Sequence, residues 1–110
     1  MDEKAFEDLV VEAVEGLPDE FKKKLENIDI VIEDGKPGRL LGLYQGVPLS
    51  ERTHYYGNVM PDKITIFRNN IKNICRTDGE IKEAVRRTVI HEIAHYFGLS
   101  DDHMKNSGTY

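Results

Sequence analysis

Apolar and polar positions along this chain repeat with two different periods. Over residues 2–15, Ala5, Phe6, Leu9, Val10, Ala13 and Val14 recur every three or four positions with acids between them, which predicts an amphipathic helix. Gly16, Leu17 and Pro18 end it, and Pro18 suits the first turn of a second, short helix through Phe21 and Leu25. The period then changes. Ile28-Asp29-Ile30-Val31-Ile32-Glu33 is rich in β-branched residues and reads as a strand, and Asp34-Gly35-Lys36-Pro37-Gly38 reads as a turn. Leu40 to Pro48 is apolar but punctuated by glycine. It predicts a strand in which Gly42 and Gly46 serve bulges or a close backbone approach. Thr53 to Tyr56 reads as a further short strand, Gly57 to Pro61 as a loop, and the alternating run Lys63 to Arg68 as a strand. Asn69 is placed to cap a helical turn through Ile71 and Ile74.

The last long helix begins near Asp78, where Thr77 and Glu80 have the spacing of a capping box. It runs to about Phe97, and Gly98 supplies a left-handed stop. Its two halves differ. Lys82, Glu83, Arg86 and Arg87 give the first half a wet face, whereas Val89, Ile90, Ile93, Ala94, Tyr96 and Phe97 point in nearly every direction. That pattern predicts a second half buried all round, with its histidines inside the domain.

Composition narrows the class. A chain of 110 residues with 39% hydrophobic and 32% charged residues is expected to be one globular domain, here residues 1–104, with 105–110 as a loose tail. No apolar run reaches the ~20 residues of a membrane span, and the N-terminus lacks a secretory apolar stretch, so a cytoplasmic location is expected. Cys75 is the only cysteine, which excludes an internal disulfide and a thiolate zinc cluster, and suits a small apolar position on a helical turn. The net charge of −5 argues against a phosphate backbone as partner. Residues 1–34 carry −8 and residues 35–110 carry +3. The acidic front reads as a solvated helical face. Arg39, Arg52, Lys63, Arg68, Lys72 and Arg76 could instead draw an acidic ligand.

The chemistry concentrates in His91-Glu92-Ile93-Ala94-His95, followed by Gly98 and Asp101. Residues four apart on a helix differ by about 40° in direction, so His91 and His95 project from one face, one turn apart. Two imidazoles so placed can grip one metal ion, and Glu92 can reach a metal-activated water without being a ligand. The Gly98 turn brings the chain back, so that Asp101 or its neighbours Asp102 and His103 can supply a third ligand and leave a position open for water. His103 is alternatively an outer partner that orients a ligand. His54, Tyr55 or Tyr56 could steady a developing oxyanion, with nothing in the sequence selecting among them. Tyr44 and Gln45, beside Gly42 and Gly46, read as structural, and Phe6, Leu9, Val10 and Ala13 as core.

At these residues the chain resembles the zincin metallopeptidases. The extended HExxHxxGxxD form looks like the Asp-zincin type, and the whole chain resembles the small bacterial minimal zincin family. The carrying segments are Leu40 to Pro48, Pro61 to Phe67 and Val89 to Asp101. The resemblance implies an α+β fold, a small mixed β-sheet packed against the HExxH helix and the N-terminal helices. It also implies one zinc ion held by His91, His95 and Asp101, with Glu92 as general base. The motif departs from metzincins, which have a third histidine where Asp101 stands, and Met104 lies too close to serve as a Met-turn.

The expected activity is hydrolysis of an unidentified peptide or protein by metal-activated water. One rival is a non-catalytic binding or regulatory protein that keeps the zincin scaffold. Another is a metal-dependent endoribonuclease, against which Glu92, Asp101 in the third-ligand place and the net negative charge all argue.

Overall fold

A computed structural model describes residues 1–25, 28–46 and 62–98. Helix α1 (Glu3–Glu15) starts where the Asp2 carboxylate accepts from the Ala5 N–H at 2.7 Å, and ends at Gly16. A short helix α2 (Asp19–Lys22) runs into a 3-10 turn (Lys23–Leu25). Strands β1 (Ile28–Glu33), β2 (Gly42–Gln45) and β3 (Asp62–Phe67) follow, then helices α3 (Arg68–Asn73) and α4 (Asp78–Tyr96). The fold is α+β, as the resemblance implied.

The sheet is mixed, in the order β1-β3-β2. β1 is parallel to β3 and β2 is antiparallel to it. The register sets Ile30, Ile64 and Tyr44 in one row, and Ile32, Ile66 and Gly42 in the next. Because side chains alternate across a strand, these rows share one face. Ile64 and Ile66 belong to the same buried cluster as Val85, Val89 and Ile93 of α4. α1 packs against α4 and completes the same core, with Phe6 and Val10 buried and Leu9, Ala13 and Val14 packed at the margin. At about 1.5–3 kcal/mol for each large aliphatic or aromatic side chain removed from water, this single cluster is the main force holding α4 against the sheet.

Local signals placed α1 and α4 well. The Thr77 hydroxyl accepts from the Glu80 N–H at 3.1 Å, and Gly98 has φ +78° after the last turn. Glu80 completes the cap one residue early, accepting from the Arg76 N–H at 3.2 Å. Elsewhere tertiary context changed the outcome. Arg68 opens α3 rather than ending β3, and its guanidinium pairs with Asp34 and, at 3.3 Å, with Glu3. Asn69 lies inside α3 instead of capping it, and its N–H donates to the Asp34 carbonyl at 2.7 Å. Ile71 is buried, but Ile74 is 61% exposed. β2 is only four residues long, and Gly46 beyond it has φ +149°. No helix among the described residues is long and apolar enough to cross a membrane. The expected strand at 53–56, the loop at 57–61 and the tail at 105–110 lie outside the described residues.

Candidate metal centre

The site stands on the C-terminal half of α4. Here the all-round burial expected from sequence does not hold. Val89, Glu92, Ile93, Ala94 and Tyr96 are buried, whereas Ile90, His91 and His95 are half-buried. α4 meets the sheet and α1 on part of its circumference, so its apolar residues do not all find cover. The histidines therefore stand at the margin of the core rather than inside it. The buried member of the trio is Glu92, at 6% exposure.

Helical spacing does what it predicted for direction. The His91 and His95 rings lie 4.4 Å apart between centroids with planes at 69°. His95 Nδ1 is 3.3 Å from Glu92 Oε1. One donor atom from each of His91, Glu92 and His95 falls within 4.8 Å of the others. Ligand atoms about 2.1 Å from one zinc stand at most ~4.2 Å apart, so small rotations of the two imidazoles bring both onto one ion, with the Glu92 carboxylate beside them. Two imidazoles with no thiolate are donors suited to zinc, and the carboxylate beside them is placed to act as a base.

Strand β2 fixes the buried carboxylate. A β-carbon on Gly42 would stand 3.1 Å from Glu92 Cγ, 2.7 Å from Thr88 Cγ2 and 3.2 Å from the Thr65 carbonyl oxygen. Only a residue without a side chain lets β2 lie this close to α4. The Thr88 hydroxyl donates to the Ala84 carbonyl at 2.7 Å, which turns its methyl group toward the strand side. β2 and α4 also meet through aromatic contacts. Tyr44 donates to Asp62 Oδ2 at 2.5 Å and meets Tyr96 edge-on at 6.0 Å, while the Tyr96 hydroxyl donates to the Lys24 carbonyl at 3.1 Å. Tyr44 is structural, as its sequence context suggested. Asp62 was not singled out from sequence, since an isolated aspartate ahead of a strand looks like an ordinary loop residue.

A groove of about 470 Å³ opens on this centre between α4 and the chain leading into β2. Arg39, Leu40, Gly42, Arg87, His91 and Glu92 are among its walls. One turn up the helix, Glu83 accepts from Arg86 at 2.5 Å and from Arg87 at 3.2 Å. The Arg86 hydrogen bond holds the Glu83 carboxyl at about 2, well below the usual carboxylate range, and the Arg87 contact adds to it. Burial, with the nearby Glu80 charge, pushes the Cys75 thiol up from its ordinary range. Asp101, Asp102, His103, His54, Tyr55 and Tyr56 lie outside the described residues.

Comparison with known proteins agrees with this geometry. The chain belongs to the zincin-like metallopeptidase family, whose model matches residues 8–109. It is similar in structure to a conserved hypothetical protein from Thermus thermophilus (TM-score 0.62, 20% identity, 99% of this chain and 100% of that one), a likeness of fold. No curated protein sequence matches it.

Proposed function

We propose that this protein is a zinc-dependent metallopeptidase. The observation that carries the reading is the gathering of His91, Glu92 and His95 donor atoms within 4.8 Å on one helix of a chain in the zincin-like family. His91 and His95 would hold the ion, with Asp101 as third ligand and Asp102 or His103 as alternatives. Zinc in such a site supplies Lewis acidity and eases deprotonation of water.

The remaining chemistry belongs to this chain. Glu92 takes a proton from the attacking water and passes it to the leaving amine nitrogen. Its position against the Gly42 backbone limits its rotamers, which favours a fixed proton-transfer geometry. Strand β2 carries no strand on its outer side among the described residues. An edge strand in this position is suited to align an extended peptide alongside Glu92. His54, Tyr55 and Tyr56 remain the candidates for steadying the oxyanion.

The test combines elemental analysis with peptide hydrolysis by the wild type and Glu92→Gln. One zinc per chain, cleavage by the wild type and a loss of at least ~100-fold in Glu92→Gln are expected. A folded protein that takes up no metal would remove the whole reading. Stoichiometric zinc without Glu92-dependent cleavage would leave a metal-binding zincin scaffold and no peptidase.

A further inference from the structure

We propose that the groove beside the metal centre selects substrates carrying a carboxylate side chain next to the scissile bond, through Arg39 and Arg87. This inference rests on the peptidase reading above and names the substrate class of that site.

The two arginines come to the groove from different elements. Arg87 stands on α4 one turn before His91, and its side chain is 67% exposed. Arg39 comes from the loop between β1 and β2. It is exposed and makes no ion pair or hydrogen bond among the described residues. Both line the same groove as His91 and Glu92. The only carboxylate among the groove's described walls is that of Glu92, the proposed base. Glu83 pairs with Arg87 at 3.2 Å from outside the groove's walls but is shared with Arg86, so three arginines and an expected dication outweigh the carboxylates of Glu83 and Glu92, and the groove is electropositive although the chain carries −5 overall. Guanidinium forks bind carboxylates with paired N–H donors, so a glutamate or aspartate side chain is the natural occupant.

The Arg39 loop is held in place. Asn70 of α3 donates from Nδ2 to the Lys36 carbonyl at 3.0 Å and to the Leu40 carbonyl at 2.7 Å, and its Oδ1 accepts from the Lys36 N–H at 3.4 Å. These bonds bracket Arg39 on both sides. Nearby, the Phe67 N–H donates to the Leu41 carbonyl at 2.9 Å, which ties the same segment to the sheet. Asn70 is a positioning residue for Arg39. A guanidinium on a pinned loop loses less freedom on binding than one on a free loop, which strengthens selection.

The test has two arms on the full chain. In the first, an amidated octapeptide with a neutral dye and a single central Glu is titrated by fluorescence anisotropy into the metal-free Glu92→Gln protein, beside the same peptide with Gln. The Glu peptide should bind roughly threefold to fivefold more tightly, and the ratio should fall toward one with added salt, in Arg39→Gln and in Arg87→Gln. Asn70→Ala should lower the ratio with all charges kept, a result that a purely structural asparagine would not give. In the second arm, the zinc-loaded protein acts on a mixed peptide library. Asp and Glu should be enriched at one position beside the cut, and Arg39→Glu should shift that position toward Lys and Arg. Equal binding of the two peptides, or Glu92-dependent cleavage with no acidic enrichment, overturns the inference and leaves the peptidase intact. Charge-selective binding without Glu92-dependent cleavage overturns the peptidase and leaves the groove's selectivity standing.

Discussion

Gly42 and Glu92 touch across the strand–helix interface, and a β-carbon on Gly42 would come to 3.1 Å from Glu92 Cγ. The same atom would meet Thr88 Cγ2 at 2.7 Å and the Thr65 carbonyl oxygen at 3.2 Å. The methyl group has no flexible neighbour that can yield cheaply on all three sides. Gly42→Ala should therefore cost about 1–3 kcal/mol in urea unfolding, the usual penalty of overpacking. It should also displace the Glu92 carboxylate and lower kcat more than KM, since the base rather than the substrate is moved. A Gly42→Ala protein as stable and as active as wild type would refute the close contact.

Tyr44 and Asp62 supply the second prediction. The Tyr44 hydroxyl donates to an aspartate that is 2% exposed, at 2.5 Å. A hydrogen bond to a buried charged group contributes about 1.5–3 kcal/mol, and removing the donor leaves part of that carboxylate's desolvation uncompensated. Tyr44→Phe should lose about that much stability. In a double-mutant cycle with Asp62→Asn, the pair should couple by about 1 kcal/mol or more. Additive losses would mean that the two side chains do not depend on each other.

Much of this was legible in the chain itself, and the part that was not has a common cause. α1 and α4 were readable because caps and helical periods act within a few residues, as Thr77 and Glu80 do. The convergence of His91, Glu92 and His95 was readable for the same reason. The partial exposure of the histidines was not, because it depends on which side of α4 the sheet and α1 occupy. The parallel pairing of β1 with β3 joins residues 34 apart in sequence and leaves no local mark. Gly42 stood out as a glycine in an apolar strand, but only the fold shows that it faces Glu92. Arg87 reads in sequence as one more solvated charge, and only the fold shows that it shares a groove with Arg39.

Glu83 gives a pH dependence. Its carboxyl falls from the ordinary value of 4.5 to about 2, first through the Arg86 hydrogen bond and then through the Arg86 and Arg87 charges. A carboxylate whose folded value is depressed contributes stability that is fully present above about 4.5 and is lost as pH falls toward about 2. The side chain is about half exposed, so solvent screening keeps the effect small. Following the Glu83 side-chain carbon by NMR should give a midpoint near 2 in the wild type, a higher one in Arg86→Ala, and the ordinary 4.5 only when Arg87 is removed as well. The gap in melting temperature between wild type and Glu83→Gln should narrow across the same interval. A wild-type midpoint near 4.5 would show that the Arg86 pairing does not persist in solution.

Metal binding should register as stability, because an ion that binds only the folded chain shifts the folding equilibrium. At free zinc about 100 times the dissociation constant the gain is ~2.7 kcal/mol, and it grows with the logarithm of zinc concentration. Thermal melts should therefore rise with added zinc and fall back with a chelator. His91→Ala and His95→Ala should each abolish the zinc-dependent rise while leaving the metal-free melt nearly unchanged, since both side chains are half-buried and lie outside the core cluster. Glu92→Gln should keep most of the rise, because the general base need not be a ligand. A Glu92→Gln protein that loses zinc as completely as His95→Ala would instead make Glu92 a ligand of the ion, and another group would have to take the proton.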